Sequence, residues 1–279
     1  MIKTVRTVDE LRKIVRGWRA EGLSMGLVPT MGALHAGHMA LAARSLETTD
    51  RTIATLFVNP KQFGEGEDLE SYPRDEQTDS DKLGQAGVHL LFAPDVDQMY
   101  PANFSTGVSV GGLGDVLEGT YRPGFFDGVA TVVSKLLNQA GADRAFFGEK
   151  DYQQLQVITR MARDLNIPTV IEGVATIREE DGLALSSRNV YLSAEERRAA
   201  PVLYQTLMQV ASRVKAGDDI IELENWGREQ VLAVGFSSVD YLSVHDAETL
   251  EAFGERSRPG RVLVAAKLGR ARLIDNVPV

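Results

Sequence analysis

The stretch Met25–Val58, MGLVPTMGALHAGHMALAARSLETTDRTIATLFV, decides the fold. It opens with a short apolar run, Met25–Pro29, and turns through a corner containing Gly32 and Gly37. From His38 to Glu47 its apolar residues recur at helical spacing, and it closes on a second apolar run, Arg51–Val58. Strand, helix and strand in that order predict a βαβ unit. Both strands are nearly continuous in apolar character, the pattern of a parallel sheet covered on both faces. The alternation continues through a polar helix at Asp75–Gln85, a strand at Val88–Pro94 and a helix at Val129–Asn138. A strand at Arg144–Gly148, a helix at Gln153–Leu165 and a strand at Thr169–Val174 complete the series. The expectation is an α/β domain over residues 1–176 whose ligands bind beyond the carboxyl ends of the strands. The loops after Pro29, Val58, Phe147 and Val174 are therefore the informative ones.

Beyond about Thr176 the texture changes. Ser193–Glu196, SAEE, is a capping box that opens a helix. Two further helices are predicted over Val202–Lys215, stopping near Gly217, and over Leu223–Val234. Alternating strands follow at Val239–Asp246, Arg261–Gly269 and Ala271–Asn276. Residues 177–279 thus read as a smaller α+β domain. No internal repeat or low-complexity linker separates the two.

Composition narrows the function classes. The formal net charge of -9 argues against a nucleic-acid binder, which usually carries a basic face. The chain has no cysteine, which excludes disulfides, thiolate–zinc sites and a cysteine nucleophile. The start, MIKTVRTVDELRKIVRGW, is charged and helical in period, unlike a signal peptide. No window approaches the ~18 apolar residues of a membrane span. The expected location is the cytoplasm.

His35 and His38 lie at i and i+3 on the predicted strand-to-helix corner. Gly32 suits a tight turn, and Gly37 leaves room for a flat ligand at the helix start. The first turn of a helix offers unpaired N–H groups and a partial positive charge, a natural phosphate site. Two imidazoles on one face of that turn could donate to phosphate oxygens, and with a reference pKa near ~6.5 either could carry a proton. A metal site would need a third ligand. An incidental pair of loop histidines is the remaining alternative.

The other loops add candidates. Asn59-Pro60 is a turn signal, and Gln62 beyond it could donate and accept. The acidic run Glu65–Glu70 reads as a solvated loop or lid. Asp75 and Asp79, at i and i+4, are surface charges or lie near magnesium. After the strand at Arg144–Gly148, Gly148 permits close backbone approach and Lys150 offers a point charge for phosphate. Asp151 is an N-cap or a ribose acceptor. Gln153 and Gln154 face different ways. Ser186, Ser187 and Arg188 supply two hydroxyls and a guanidinium fork at the domain junction.

Together these segments resemble the pantoate–β-alanine ligase family, of the HxGH nucleotidyltransferase superfamily. The family pattern P-T-M-G-x-L-H-x-G-H appears as Pro29–His38, and F-V-N-P-x-Q-F as Phe57–Phe63. R-P-G-x-F-x-G-V-x-T-V-V appears as Arg122–Val133, and F-G-E-K-D-x-Q-Q as Phe147–Gln154. D-G-L-A-[LM]-S-S-R-N appears as Asp181–Asn189, and the terminal ARLIDN, Ala271–Asn276, also looks familial.

The resemblance implies a Rossmann-like N-terminal domain, a smaller C-terminal cover and a homodimer. It implies condensation of pantoate with β-alanine, with ATP going to AMP and pyrophosphate through a pantoyl adenylate, and with Mg2+ present. By the same resemblance ATP lies along Met31, Gly32, Ala33, Leu34, His35, Ala36, Gly37 and His38. It also meets Gly148, Glu149, Lys150 and Asp151, then Ile177, Leu185, Ser186, Ser187 and Arg188. Pantoate is held by Gln62 and Gln154, with Pro29, Met31, Val132 and Val133, and Gln62 also serves β-alanine. His38 is the implied proton donor, with His35, Lys150, Ser186 and Arg188 as further catalytic groups. Two rivals stay open: another HxGH nucleotidyltransferase, and a non-catalytic ATP-binding module on the same fold.

Overall fold

The computed structural model describes residues 2–64, 66, 69–70, 72–254 and 257–279. In chain order, β1 (Lys3–Val5) leads to α1 (Val8–Ala20), β2 (Met25–Thr30) to α2 (Ala36–Thr48), and β3 (Arg51–Leu56) to α3 (Glu76–Gln85). Next come β4 (Leu90–Phe92), the short helices α4 (Val96–Met99) and α5 (Glu118–Tyr121), then α6 (Phe125–Ala140), β5 (Arg144–Gly148), α7 (Tyr152–Asp164) and β6 (Val170–Val174). The last third contains α8 (Ala194–Ala199), α9 (Val202–Ala216), α10 (Ile220–Ala233), β7 (Ser238–Asp246), β8 (Gly260–Leu268) and β9 (Ala271–Pro278). The chain forms two compact units. One comprises Met1–Asp115, Arg122–Glu149 and Gln154–Ala175; the other comprises Val116–Tyr121, Lys150–Gln153 and Thr176–Val279.

The first unit is built on a parallel sheet of order β1-β4-β3-β2-β5-β6. Its inner strands are buried almost residue by residue, without alternation, because helices cover both faces. The order runs from β2 outward through β3 to β4, then resumes on the other side of β2 with β5. The topological switch therefore lies between β2 and β5, where such sheets bind ligands. Their pairing covers only Gly26–Leu27 against Arg144–Ala145. Thr30 directs its N–H at Thr55 on β3. The preceding residue, Pro29, has no N–H to offer the β5 side, where the ladder has already ended. The carboxyl ends of the two strands thus part beside the Thr30–His38 corner.

The N-terminal residues correct the sequence reading in one respect. Lys3–Val5 is an edge strand paired with β4, and the helix begins only at Val8, behind a capping box of Thr7 and Glu10. Three residues are too few to show a strand period. The short helices α4 and α5 are likewise too short to show a helical one.

The second unit packs α9 and α10 against an antiparallel sheet of order β7-β8-β9. Leu203, Leu207, Val210, Val214, Leu223 and Val231 from the helices meet Leu242, Val244, Val262, Val264 and Leu273 from the strands. The expected capping box at Ser193 and Glu196 opens α8, and α9 ends at Gly217 in the left-handed conformation.

Candidate active site

The corner after β2 is held by side chains from outside it. Gly32 has φ +94, and Ala33, though not glycine, has φ +52. The carboxylate of Asp79 secures this turn: one oxygen accepts from Ala33 N and the other from Leu34 N, each at 2.8 Å. Lys82 Nζ, one turn along α3, donates to Leu34 O at 2.7 Å. Asp79 is buried, so it is not the surface charge that its helical spacing offered. Both of its oxygens accept from backbone N–H groups of the turn, and Asp75 caps α3 by accepting from Thr78 N at 3.0 Å.

His35 is the N-cap of α2, in extended conformation. Its Nδ1 accepts from Gly37 N at 3.1 Å, and His35 N donates to His38 Nδ1 at 3.3 Å. The two histidines thus replace the usual Ser/Glu members of a capping box. The rings lie 4.2 Å apart between centroids. An imidazole that accepts at Nδ1 carries its proton on Nε2. Each neutral ring is therefore an Nε2–H donor at a helix N-terminus. Gly37 has a role within the capping box itself. A Cβ there would stand 2.9 Å from Cε1 of His35, so the missing side chain makes room for the histidine ring.

Beyond β3, Asn59 is more than a turn residue. It is buried, accepts from Lys61 N and donates to Gly128 O on α6 at 3.1 Å and to Gln62 Oε1 at 3.0 Å. Tyr100 OH donates to its Oδ1 at 2.7 Å. The oriented Gln62 amide then donates to Met31 Sδ at 3.0 Å. Met31 and Gln62 are thereby in contact, Val132 and Val133 are buried on α6, and Gln154 is half-buried on α7. Sequence reasoning missed Asn59 and Asp79; the only available signals were an Asn-Pro turn and a carboxylate inside a predicted helix. Of the acidic run Glu65–Glu70, read as a solvated loop or lid, Glu65, Glu67 and Asp68 lie outside the described residues.

The remaining candidates fall in two groups. Gly148 ends β5, and Glu149–Asp151 form a 3-10 turn that runs into α7, so Asp151 lies inside helical backbone. Lys150 belongs to the second unit, as do Ile177, Leu185 and Ser186–Arg188. Leu185 N donates to Ile177 O at 3.0 Å, and Ser186 caps the following 3-10 turn by accepting from Arg188 N. Gln153 is buried by its own bonds: it accepts from Glu118 N at 3.0 Å and donates to Val116 O at 2.7 Å. Among the described residues no group of three or more His, Asp or Glu side chains could hold a metal ion.

Comparison with known proteins decides the family. The family model for pantoate-beta-alanine ligase matches residues 3–278. The chain belongs to the pantoate–β-alanine ligase family. It is 55% identical to the pantothenate synthetase of Chelativorans sp. (strain BNC1), covering 98% of this chain and 96% of that one. It is 54% identical to that of Rhodospirillum rubrum, over 98% of both. Among solved structures it resembles the pantothenate synthetase of Thermus thermophilus, with TM-score 0.91, 48% identity and 99% of each chain covered. It also resembles the pantoate-beta-alanine ligase of Francisella tularensis complexed with beta-gamma ATP and beta-alanine, with TM-score 0.84, 30% identity and coverage of 99% and 97%. Family membership gives the activity, ligation of pantoate to β-alanine, and decides against another nucleotidyltransferase and against a non-catalytic module.

Proposed function

We propose that the ligation runs in two steps, with ATP as co-substrate and the α2 N-terminus as its phosphate site. In the first step a pantoate carboxylate oxygen attacks the α-phosphorus of ATP. An O–P bond forms, the bond to the bridging oxygen breaks, and pyrophosphate leaves. In the second step the neutral amine of β-alanine attacks the acyl carbon of pantoyl adenylate. An amide forms, the amine loses a proton, and AMP leaves.

The observation that carries this reading is the pair of Nε2–H donors at the helix start. Two anions must approach each other, and such a transfer depends on positioning and electrostatic stabilisation. His35 and His38 supply neutral donors without gaining a second proton, and the helix terminus adds its partial charge. Lys150, Ser186 and Arg188 act on the phosphates, with Met31–His38, Gly148–Asp151, Ile177 and Leu185–Arg188 as the ATP contacts. Gln62 and Gln154 grip pantoate with Pro29, Met31, Val132 and Val133, and Gln62 also meets β-alanine. Exclusion of water would protect the adenylate, and residues 177–279 act as its cover. Mg2+ accompanies ATP in this reading and offsets part of the triphosphate charge. We further propose a cytoplasmic homodimer; no described helix is long and apolar enough to cross a membrane.

The test is pantoate-dependent pyrophosphate release and β-alanine-dependent AMP formation, omitting each substrate in turn, for the wild type, His38→Ala and His38→Gln. The alanine variant is expected to lose ~10²-fold or more in adenylation rate, as for removal of an aimed donor. Glutamine supplies an amide N–H near the Nε2 position and is expected to restore most of the rate. Equal loss in both variants would show that His38 transfers a proton. Pyrophosphate release without pantoate would sink the adenylate reading.

A further inference from the structure

The motif ARLIDN ends in Asp275-Asn276, two buried polar residues on β9 to which the mechanism assigns no task. Successive side chains of a strand leave on opposite faces, so the two can serve different neighbours. Asn276 Nδ2 donates to Lys150 O at 2.9 Å, while its Oδ1 accepts from Arg261 Nε at 2.7 Å. The Arg261 guanidinium lies 3.8 Å over the ring of Tyr152, whose hydroxyl donates to Ala247 O at 2.9 Å. The backbone on both sides of Asp151 is therefore fastened to the second unit.

Asp275 takes the other direction. Arg178 donates to it through both terminal nitrogens, at 2.6 and 2.9 Å, and also to Gly182 O at 3.0 Å. The guanidinium stacks 3.9 Å from the ring of Tyr204. Arg178 pairs with Ala184 across a narrow hairpin, which is closed by Leu185 N donating to Ile177 O. Ser186–Arg188 follow directly. Arg178 Nη2 also reaches Asn276 O at 3.3 Å, and Asn276 N donates to Asp275 Oδ1 at 2.7 Å. The two positions are thus linked to each other as well as to their clients.

We propose that Asp275 and Asn276 are positioning residues for adenylation. Asn276 sets the Lys150 backbone, and Asp275, through Arg178, sets the Ile177–Leu185 hairpin from which Ser186–Arg188 emerge. This rests on Lys150 and Ser186–Arg188 acting on ATP. A buried asparagine is suited to the task because it must donate to a carbonyl and accept from a guanidinium at once. Aspartate in its place keeps the acceptor and loses the donor.

The experiment is a double-mutant cycle of Asn276→Asp with Lys150→Met, read by steady-state pyrophosphate release at varied ATP and pantoate. Asn276→Asp alone is expected to lower kcat/KM for ATP about tenfold, the size of one lost hydrogen bond, with KM for pantoate within about twofold of wild type. In the Lys150→Met background the same change is expected to cost less than about twofold, because the group it positions is gone. Full additivity, or equal losses toward both substrates, would overturn the proposal and leave Asn276 a purely structural residue. A Lys150→Met enzyme with wild-type kinetics would instead overturn the reading of Lys150 on which it rests. Should Asn276→Asp not fold, Asn276→Ser carries the same cycle, with thermal unfolding measured beside it. Asp275→Asn is expected to raise KM for ATP in both Lys150 backgrounds, since its route runs through Arg178; an unchanged KM for ATP would remove Asp275 from the pair.

Discussion

At the scale of single residues, the corner after β2 depends on Asp79 as much as on its own glycines. A turn with Ala33 at positive φ is a strained backbone that its surroundings must hold in place. Asp79 does so with two charge-assisted bonds to successive N–H groups, and the turn hands the chain directly to His35. Asparagine at 79 would keep one acceptor and turn an NH2 group toward the other N–H. Asp79→Asn is expected to lower stability by about 2 kcal/mol, within the range for hydrogen bonds to charged groups. It is also expected to slow adenylation by ~10-fold or more, because small displacements of aimed donors are costly. Chemical denaturation and pantoate-dependent pyrophosphate release check the two effects. A normal rate in a destabilised protein would confine Asp79 to folding.

At the scale of elements, the approach to β4 contains a pH-dependent joint. His89 Nδ1 accepts from Thr52 N at 3.0 Å, and His89 N donates to Thr52 O, so the neutral ring extends the β3–β4 pairing. Burial, and then the nearby Arg51 charge, hold the His89 pKa below its ordinary value. The unfolded imidazole takes up its proton near ~6.5, while the folded one does so only at lower pH. The stability contributed by the neutral ring is therefore full above that value and lost as pH falls through the folded pKa. His89→Asn keeps an acceptor near the Nδ1 position without titrating. The melting temperature of the wild type is expected to fall more steeply between pH 7 and 5 than that of His89→Asn; parallel curves would exclude the joint. The elements themselves are largely legible in the sequence. Met25–Val58 announces its parallel pairing because burial on both faces leaves continuous apolar runs. The histidine capping box is not legible, because His seldom caps a helix and the capping bonds depend on ring orientation. Asp79 escapes a sequence reading because its partners lie 45 and 46 residues away, beyond any local period.

At the scale of the whole molecule, the second unit is not a contiguous piece of sequence. It includes Val116–Tyr121 and Lys150–Gln153, segments that sequence order alone would assign to the first. Their recruitment could not be read from the chain because it rests on bonds between residues far apart in sequence: Asn276 and Ala247 hold Lys150 and Tyr152, and a buried network holds Glu118. Glu118 accepts from both terminal nitrogens of Arg272 at 2.7 Å and from Tyr241 OH at 2.7 Å. Arg272 Nε donates to Asp240 at 2.7 Å, and Glu118 N reaches Gln153 at 3.0 Å. Burial works against the Arg272 charge, but the Glu118 and Asp240 carboxylates more than offset it and raise its pKa. Burial and the Glu118 charge likewise push Tyr241 well above its ordinary value, keeping it a hydroxyl donor. Removing one partner of a buried ion pair leaves the other uncompensated. Glu118→Gln is therefore expected to destabilise the protein by about 3 kcal/mol, at the low end for such changes because Asp240 still serves Arg272. Replacing the pair together, as Glu118→Gln with Arg272→Met, is expected to recover part of that loss, since no buried charge is then orphaned. Denaturant unfolding of the two variants checks both values. A double variant that loses the full sum of the single changes would mean that the network stabilises the unit bond by bond, rather than by keeping each buried charge paired.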